Sequence, residues 1–315
     1  MSDEVLAETI RSDAIDILVD LSGHSDGNRL GVFGLKPAPV QVTGIGHLAP
    51  GASTIDYRLT TRHFTPPDDE SLYPEKPVYL PVVTGFLPPP DAPDVAPLPC
   101  RDGDGVTFGC LNRLYKISDA AKALWARILR DVPASRLLIK FNGLEEAATR
   151  QGLRDSLAAA GADPDRLILL GGSSRREHLE TYNRIDIALD TFPQGGGITT
   201  LESLWMGVPV LGLHSGFKTA QRLITTLCAP LELDDWITES AGDYHRRAVE
   251  WAGRPDALAA LRAALRPRVA KTYANFPRDV EAAYREMWRR WCAGEAPRVL
   301  TVTDDSPAAA RPRVA

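Results

Sequence analysis

Residues 185–210 read IDIALDTFPQGGGITTLESLWMGVPV. The pattern predicts an apolar strand that ends at Asp190, a turn with three glycines, and a helix that opens on Thr199 and Thr200. Thr199 and Glu202 have the spacing of a capping box. A helix start offers backbone N–H groups and partial positive charge, glycines let the backbone approach a ligand, and Asp190 stands where a ribose hydroxyl needs an acceptor. The stretch favours a nucleotide diphosphate site, although an ordinary strand–loop–helix has the same pattern.

Composition narrows the class of protein. The chain has 315 residues, enough for two domains, with 44% hydrophobic and 24% charged residues. A net charge of −5 without a basic stripe argues against a nucleic-acid partner. The four cysteines lack metal-ligand spacing, which suits a reducing cytosol and argues against structural zinc or a disulfide framework. The acidic start resembles no signal peptide, and no apolar run reaches about 18 residues, so we expect a cytoplasmic protein without a membrane partner.

Apolar strand-like runs alternate with amphipathic helical runs along the chain, in two series separated by a proline-rich linker at residues 87–99. Such alternation predicts a parallel sheet covered on both faces, hence an α/β protein. A late helix, residues 278–293, carries Trp288 and Trp291 on an apolar stripe and must pack on something larger. The tail from Pro297 has the composition of a disordered segment. No internal repeat of tetratricopeptide period is present in the sequence.

Three loops of the second series are expected to meet beyond the carboxyl ends of their strands, where open parallel sheets bind ligands. Lys116, in the first loop, is placed to neutralise a phosphate; a solvated surface lysine has the same local sequence. The second loop, residues 171–178, brings arginines and His178 to stack on or bond a base, although a lone histidine is more often structural. The third is the turn at residues 195–200. Together the loops favour a nucleotide site.

Several motifs occur in a consistent order from residue 15 to residue 291. They include DILVDLSGH (residues 16–24), PAPVQ (37–41), NRLYKI (112–117), LDT (189–191) and LWMGVP (204–209). In these the chain resembles the catalytic region of the protein O-GlcNAc transferases and their SPINDLY-like relatives. The resemblance implies a GT-B fold with two Rossmann-like lobes. It places a partial acceptor-side lobe at residues 1–95, a UDP-sugar-binding lobe at 96–275, a helix packing back on the first lobe at 276–296, and a disordered tail at 297–315.

The resemblance also implies roles for individual residues and an inverting transfer of a sugar, most simply GlcNAc, from a UDP-sugar to Ser or Thr of a protein. Lys116 resembles the lysine that binds the diphosphate and stabilises the departing UDP. No metal or other cofactor is implied, and no DxD-type pair adjoins the site. The resemblance implies phosphate contacts from Gly197, Thr199 and Thr200 and a ribose contact from Asp190. It implies contacts to the base from Ser173, Arg175 and His178.

The sequence departs from the family in ways that leave alternatives open. Ile198 stands where the family often has histidine, and the loop at residues 44–53 is longer and altered, with His47 and Ser53 as candidate contacts. Relatives use UDP-GlcNAc, GDP-fucose or UDP-glucose. The family's upstream strands and tetratricopeptide repeats have no counterpart in this sequence, so an upstream segment or a tetratricopeptide partner is expected. The alternatives are a catalytically impaired nucleotide-sugar-binding or scaffolding protein and a fragment of a longer transferase.

Overall fold

The computed structural model describes residues 1–44, 49–103, 105–214, 216 and 219–303. The chain forms two compact units, Met1–Gly85 with Tyr273–Ala315 and Phe86–Thr272, called here the first and second unit. The strands are β1 (Ile17–Asp20), β2 (Val40–Thr43), β3 (Tyr57–Thr60), β4 (Lys76–Tyr79), β5 (Thr107–Cys110), β6 (Arg136–Lys140), β7 (Leu167–Leu170), β8 (Ile187–Leu189), β9 (Val210–Leu213), β10 (Ile237–Thr238) and β11 (Leu300–Thr301). The α-helices are α1 (Asp3–Ser12), α2 (Leu30–Gly34), α3 (Asp119–Asp131), α4 (Ala147–Ala159), α5 (Arg175–Thr181), α6 (Ile198–Trp205), α7 (Leu223–Cys228), α8 (Ala241–Ala252), α9 (Pro255–Tyr273) and α10 (Phe276–Cys292).

The first unit is built on a parallel sheet with the order β1-β2-β3-β4-β11. Every residue of β2 and β3 is buried, as expected for a parallel sheet covered on both faces. Within the described ranges the chain adds β2, β3 and β4 successively on one side of β1, which therefore lies at an edge. Helix α10 belongs to this unit and buries Phe276, Ala283 and Met287.

Two predictions for the end of the chain are wrong. Disorder does not begin at residue 297, because β11 pairs with β4 and Val302 N donates to Tyr79 O at 2.9 Å. Leu300 and Val302 are buried there, which supplies the apolar contact that the tail's composition does not reveal. Trp291 does not pack into the unit as its stripe predicts: it is 48% exposed and stacks on Trp288, with ring centroids 4.9 Å apart.

The second unit has a parallel sheet with the order β10-β9-β8-β5-β6-β7. The chain runs outward from β5 through β6 to β7, returns to β8 on the other side of β5, and then runs outward through β9 to β10. Neighbouring strands β5 and β8 therefore flank a topological switch point, the place where loops diverge and leave a crevice for a ligand. Together with the parallel sheet of the first unit, this confirms the predicted α/β fold class.

The proline-rich segment belongs to the second unit, so the division between units falls about ten residues before the predicted one. Two arginines of α9 explain the difference. Arg262 Nε donates to Ala96 O at 2.7 Å, and Arg266 Nη2 donates to Pro93 O at 2.7 Å. The segment is thus hydrogen-bonded to a helix rather than acting as a free linker. Among the described residues, no helix is long and apolar enough to cross a membrane.

Candidate functional site

The candidate site lies in the second unit, beyond the carboxyl ends of β5 and β8. The loop after β5 carries Asn112 and Lys116, and the loop after β8 carries Asp190 and the glycine turn that leads into α6. Because β5 and β8 flank the switch point, these two loops meet at the place where doubly wound sheets bind ligands.

Asp190 stabilises the glycine turn through hydrogen bonds. Its Oδ1 accepts hydrogen bonds from Thr191 N at 2.9 Å, Gly196 N at 2.8 Å and Asn112 Nδ2 at 3.0 Å. The carboxyl is 4% exposed, and burial raises its pKa to about 6 although these hydrogen bonds and nearby Lys116 act in the opposite direction. Oδ2 lies under Gly195, since a Cβ built there would approach it to 2.6 Å. The predicted ribose acceptor is therefore engaged within the turn itself.

The glycines of the turn have different surroundings. A Cβ added to Gly196 would lie 2.7 Å from Thr200 Oγ1, 2.8 Å from Thr199 Oγ1 and 3.0 Å from Asn112 Nδ2. Gly196 is thus required by packing within the protein. A Cβ added to Gly197 would have no described atom within 4 Å. Space is therefore open in front of Gly197, directly before the first residue of α6.

Lys116 is fixed beside the same turn. It ends a 3-10 turn, Leu114–Lys116, and its Nζ donates to Gly195 O at 2.8 Å. Asn112, which the sequence reasoning missed, joins the two loops, because its Oδ1 accepts from Thr199 Oγ1 at 3.1 Å while its Nδ2 donates to Asp190. A polar residue two positions after a buried strand is the signal that would have identified it. An ammonium group and a helix start therefore stand together at the switch point.

Helix α6 begins at Ile198, with Gly197 as its N-cap and no side-chain cap. The predicted capping box of Thr199 and Glu202 does not form, because the N-cap is Gly197, two residues before Thr199, and Glu202 contacts other partners. The first N–H groups of an eight-residue helix have no intrahelical acceptor. Thr199 is half-buried and Thr200 is buried behind it. This end of α6 can bind an anion through backbone donors.

Glu202 joins α6 to α5. It is 4% exposed; Arg175 Nη2 donates to its Oε1 at 2.7 Å, and His178 Nε2 lies 3.5 Å from its Oε2. Burial raises the pKa of this carboxyl, but the hydrogen bonds from His178 and Arg175 outweigh burial and hold the pKa below its ordinary value. The sequence reasoning assigned Glu202 only a capping role. An acid among the apolar residues of a buried helix was the available signal.

The loop between β7 and α5 is held from several sides. Ser174 and Glu177 form a capping box at the start of α5. Glu145 Oε2 accepts from Gly172 N at 3.1 Å. Lys140 Nζ, at the end of β6, donates to the exposed Ser173 Oγ at 2.7 Å. The predicted residues on this loop therefore belong to an ordered structure, and α5 connects them to α6 through Glu202.

All eight predicted site residues thus lie on three loops at one edge of one sheet, together with the helices that begin there. In the part of the chain that the structure describes, no group of three or more His, Cys, Asp and Glu side chains could hold a metal ion. His47 lies outside the described residues. Ser53 is exposed on a turn of the first unit.

Two parallel α/β units, one of them doubly wound with an uncapped helix start at its switch point, are the architecture of a GT-B protein. The family model described as Glycosyl transferase family 41 matches residues 2–87 and 99–276. The chain belongs to this family.

Similar proteins agree with that assignment. The chain is 38% identical over 318 residues to the probable UDP-N-acetylglucosamine–peptide N-acetylglucosaminyltransferase SPINDLY of Oryza sativa subsp. japonica, covering 98% of this chain and 34% of the rice protein. The tomato (Solanum lycopersicum) protein of the same name is 37% identical over 310 residues, covering 94% of this chain and 32% of that protein. A structure of a Thermobaculum terrenum O-GlcNAc transferase mutant superposes with a TM-score of 0.85 at 38% identity, covering 93% of this chain and 57% of that one. The chain spans about a third of the length of the plant proteins.

Proposed function

We propose that this chain is the catalytic region of an inverting glycosyltransferase that transfers a sugar, most simply GlcNAc, from a UDP-sugar to a Ser or Thr hydroxyl of a protein. The observation that carries the proposal is the position of Lys116, whose ammonium is fixed at Gly195 O beside the start of α6. A cation and backbone donors at one point match a diphosphate, and membership of family 41 supplies the class of reaction.

In the proposed reaction the acceptor hydroxyl oxygen attacks the anomeric carbon of the sugar from the face opposite UDP. The new C–O bond forms as the bond from carbon to the β-phosphate oxygen breaks, and UDP leaves with that electron pair. The acceptor proton passes to a base. Lys116 and the N–H groups at the start of α6 stabilise the charge that develops on the leaving diphosphate, so no metal ion is needed.

We assign the nucleoside contacts to α5 and α6. Asp190 is committed to the turn, whereas each oxygen of Glu202 accepts one side-chain contact and keeps a further lone pair. We therefore place the ribose acceptor at Glu202 rather than at Asp190. Arg175 and His178 would flank the nucleoside, and Thr199 and Thr200 would contact the phosphates through the helix start.

Substitution of Lys116 tests the proposal. Lys116→Met keeps the length of the side chain and removes its charge, so transfer from UDP-GlcNAc to a Ser/Thr peptide should fall about a hundredfold or more. Lys271→Met is the matched control, because Lys271 is an exposed lysine of α9. The readouts are radiolabelled sugar on the peptide and the melting temperature of each variant. Undiminished transfer by a folded Lys116→Met protein would reject the assignment.

A second candidate is a protein that binds a nucleotide-sugar without transferring it. Ile198, the first residue of α6, favours it because this apolar side chain is 53% exposed beside the proposed phosphates. Thermal shift with UDP-GlcNAc, UDP-glucose and GDP-fucose identifies the donor, since a ligand at a hundredfold excess over Kd stabilises the native state by about 2.7 kcal/mol. Binding without transfer to any peptide would favour this candidate. The protein acceptor, and a tetratricopeptide partner or upstream segment, belong to the same proposal.

A further inference from the structure

Lys140 is a buried cation that the proposed mechanism does not use. It is the last residue of β6, next to β5 in the sheet, and it is 6% exposed. Its hydrogen bond among the described residues goes to a neutral hydroxyl, Ser173 Oγ, at 2.7 Å. An ammonium group has three donors, and a hydroxyl satisfies one of them. Glu177 acts on this ammonium electrostatically, but its exposed carboxylate is engaged by Ser174 at the start of α5. Burying a charge is costly, and such groups cluster at functional sites.

Hydrogen bonds hold the loop around Lys140 in place. Above it, the loop at residues 171–174 is held by Glu145 at Gly172 N and by the capping box of Ser174 and Glu177. The same loop leads into α5, which carries Arg175 and His178 to Glu202. If the diphosphate lies at the start of α6, the polar groups of α5 place the nucleoside on the β6–β7 side of the switch point. The ammonium of Lys140 then lies beneath the loop nearest to the base.

We propose that Lys140 is a specificity-determining residue of the nucleotide site, whose ammonium donates to a carbonyl oxygen on the edge of the nucleobase. This inference rests on the proposed function, because it requires a nucleoside diphosphate in the site. Uracil and guanine present a carbonyl acceptor where cytosine and adenine present an amino donor. A lysine ammonium can only donate hydrogen bonds. If the amino group of cytosine or adenine faces it, the donors of the lysine and of the base are both left without an acceptor. The site therefore selects UDP over CDP and GDP over ADP.

The test measures Kd for UDP, CDP, GDP and ADP by isothermal titration calorimetry. Lys140→Met removes the donors and keeps the length of the side chain. It should weaken binding of the preferred oxo base about ten- to a hundredfold, the range of a charged hydrogen bond, while CDP and ADP change about threefold or less.

Lys122→Met is the matched control. Lys122 is a largely buried lysine of α3 in the same unit, and its Nζ donates to Ser156 Oγ at 2.7 Å and to Asp119 Oδ1 at 2.7 Å. This variant should leave all four Kd values within about threefold of wild type. Melting temperatures of all variants separate loss of binding from loss of folding.

The outcomes distinguish the two proposals. Wild-type binding of UDP or GDP with an equal loss for all four nucleotides in Lys140→Met would mean that Lys140 only supports the loop, and would overturn this inference alone. Equal wild-type affinity for UDP and CDP would overturn it as well. Failure of the wild-type chain to bind any of the four would reject the nucleotide site itself, and the proposed function with it.

Discussion

In each sheet a buried aspartate, Asp20 as the last residue of β1 and Asp190 directly after β8, closes a turn that contains glycine, yet the two turns lead to different structures. In the first unit, Asp20 at the end of β1 accepts from Gly23 N at 3.0 Å and from Thr43 Oγ1 at 2.7 Å. In the second unit, Asp190 accepts from Gly196 N and from Asn112 Nδ2. The same aspartate-stabilised turn therefore occurs in both sheets, at the carboxyl end of a parallel strand.

The two turns differ in the helix that comes after each of them and in the place of the strand in its sheet. After Asp190, α6 starts within eight residues at a switch point, beside Lys116. After Asp20, α2 starts ten residues later, and β1 is an edge strand of the described sheet. A buried aspartate with a glycine turn therefore does not define an anion site. We propose that the helix start and the cation at the switch point do, and four predictions test this distinction in order of expected size.

The largest effect concerns the ionisation of Asp190. Its folded pKa of about 6 lies above the ordinary value of 3.8, so its contribution to stability is fully present below pH 3.8 and is lost as the pH rises through 6. Asp190→Asn does not titrate. As the pH rises from 4 to 7, the free energy of unfolding of this variant should therefore increase by up to about 3 kcal/mol relative to that of wild type. Urea titrations at several pH values measure the difference, and parallel curves for the two proteins would contradict it.

The next effect separates two adjacent glycines. Gly196→Ala forces a Cβ against Thr199 and Thr200, and overpacking of this kind should lower the free energy of unfolding by about 2 kcal/mol. Gly197→Ala places its Cβ in open space, so its stability should stay within about 0.5 kcal/mol of wild type.

Nucleotide binding by the same two glycine variants tests where the ligand approaches the turn. If the diphosphate approaches the backbone in front of Gly197, Gly197→Ala should weaken UDP binding about tenfold in spite of its native stability. Calorimetric Kd values and urea titrations on the same samples give both quantities. Wild-type affinity in Gly197→Ala would show that the ligand does not approach this face of the turn.

Glu202 gives a smaller effect. Glu202→Gln keeps the shape of the side chain but removes the charge that holds Arg175 and His178, so UDP affinity should fall about tenfold, or about 1.4 kcal/mol. The pKa of Glu202 is lowered, so its contribution to stability is present above pH 4.5 and is lost as the pH falls, opposite to Asp190. Glu250→Gln, an acid on the surface of α8, is the control for loss of charge. Unchanged affinity in Glu202→Gln would remove α5 from the nucleoside contacts.

The sequence predicted those parts of the fold that depend on local pattern. The strand before Asp190, the glycine turn and the start of α6 are indicated by apolar runs and turn residues, and the alternation of elements predicted parallel sheets. β11 could not be predicted, because two residues become a strand only through the edge that β4 offers them. The unit boundary was misplaced because arginines from α9, about 170 residues away, hold the proline-rich segment.

The residues of the candidate site likewise divide into those that local sequence predicts and those that depend on tertiary contacts. Lys116, Thr199 and Thr200 were located from loop position and helix start, which are local properties. The partners of Glu202 come from α5, 24 and 27 residues earlier, and nothing in local spacing indicates them. Capping-box spacing pointed to a different partner, because the sequence does not reveal that α6 begins at Ile198. Tertiary contacts thus decide which of two nearby acids, Asp190 or Glu202, is engaged within the turn.

The smallest effect concerns the first unit. Trp291 is half-exposed and stacks on Trp288, so Trp291→Ala should lower the free energy of unfolding by about 1 kcal/mol or less. Nucleotide binding should not respond, because the donors assigned to UDP all lie in the second unit. UDP titration of this variant and of wild type measures the comparison. A change in Kd of more than about threefold would mean that α10 takes part in nucleotide recognition, and that the switch point of the second sheet is insufficient to define the site.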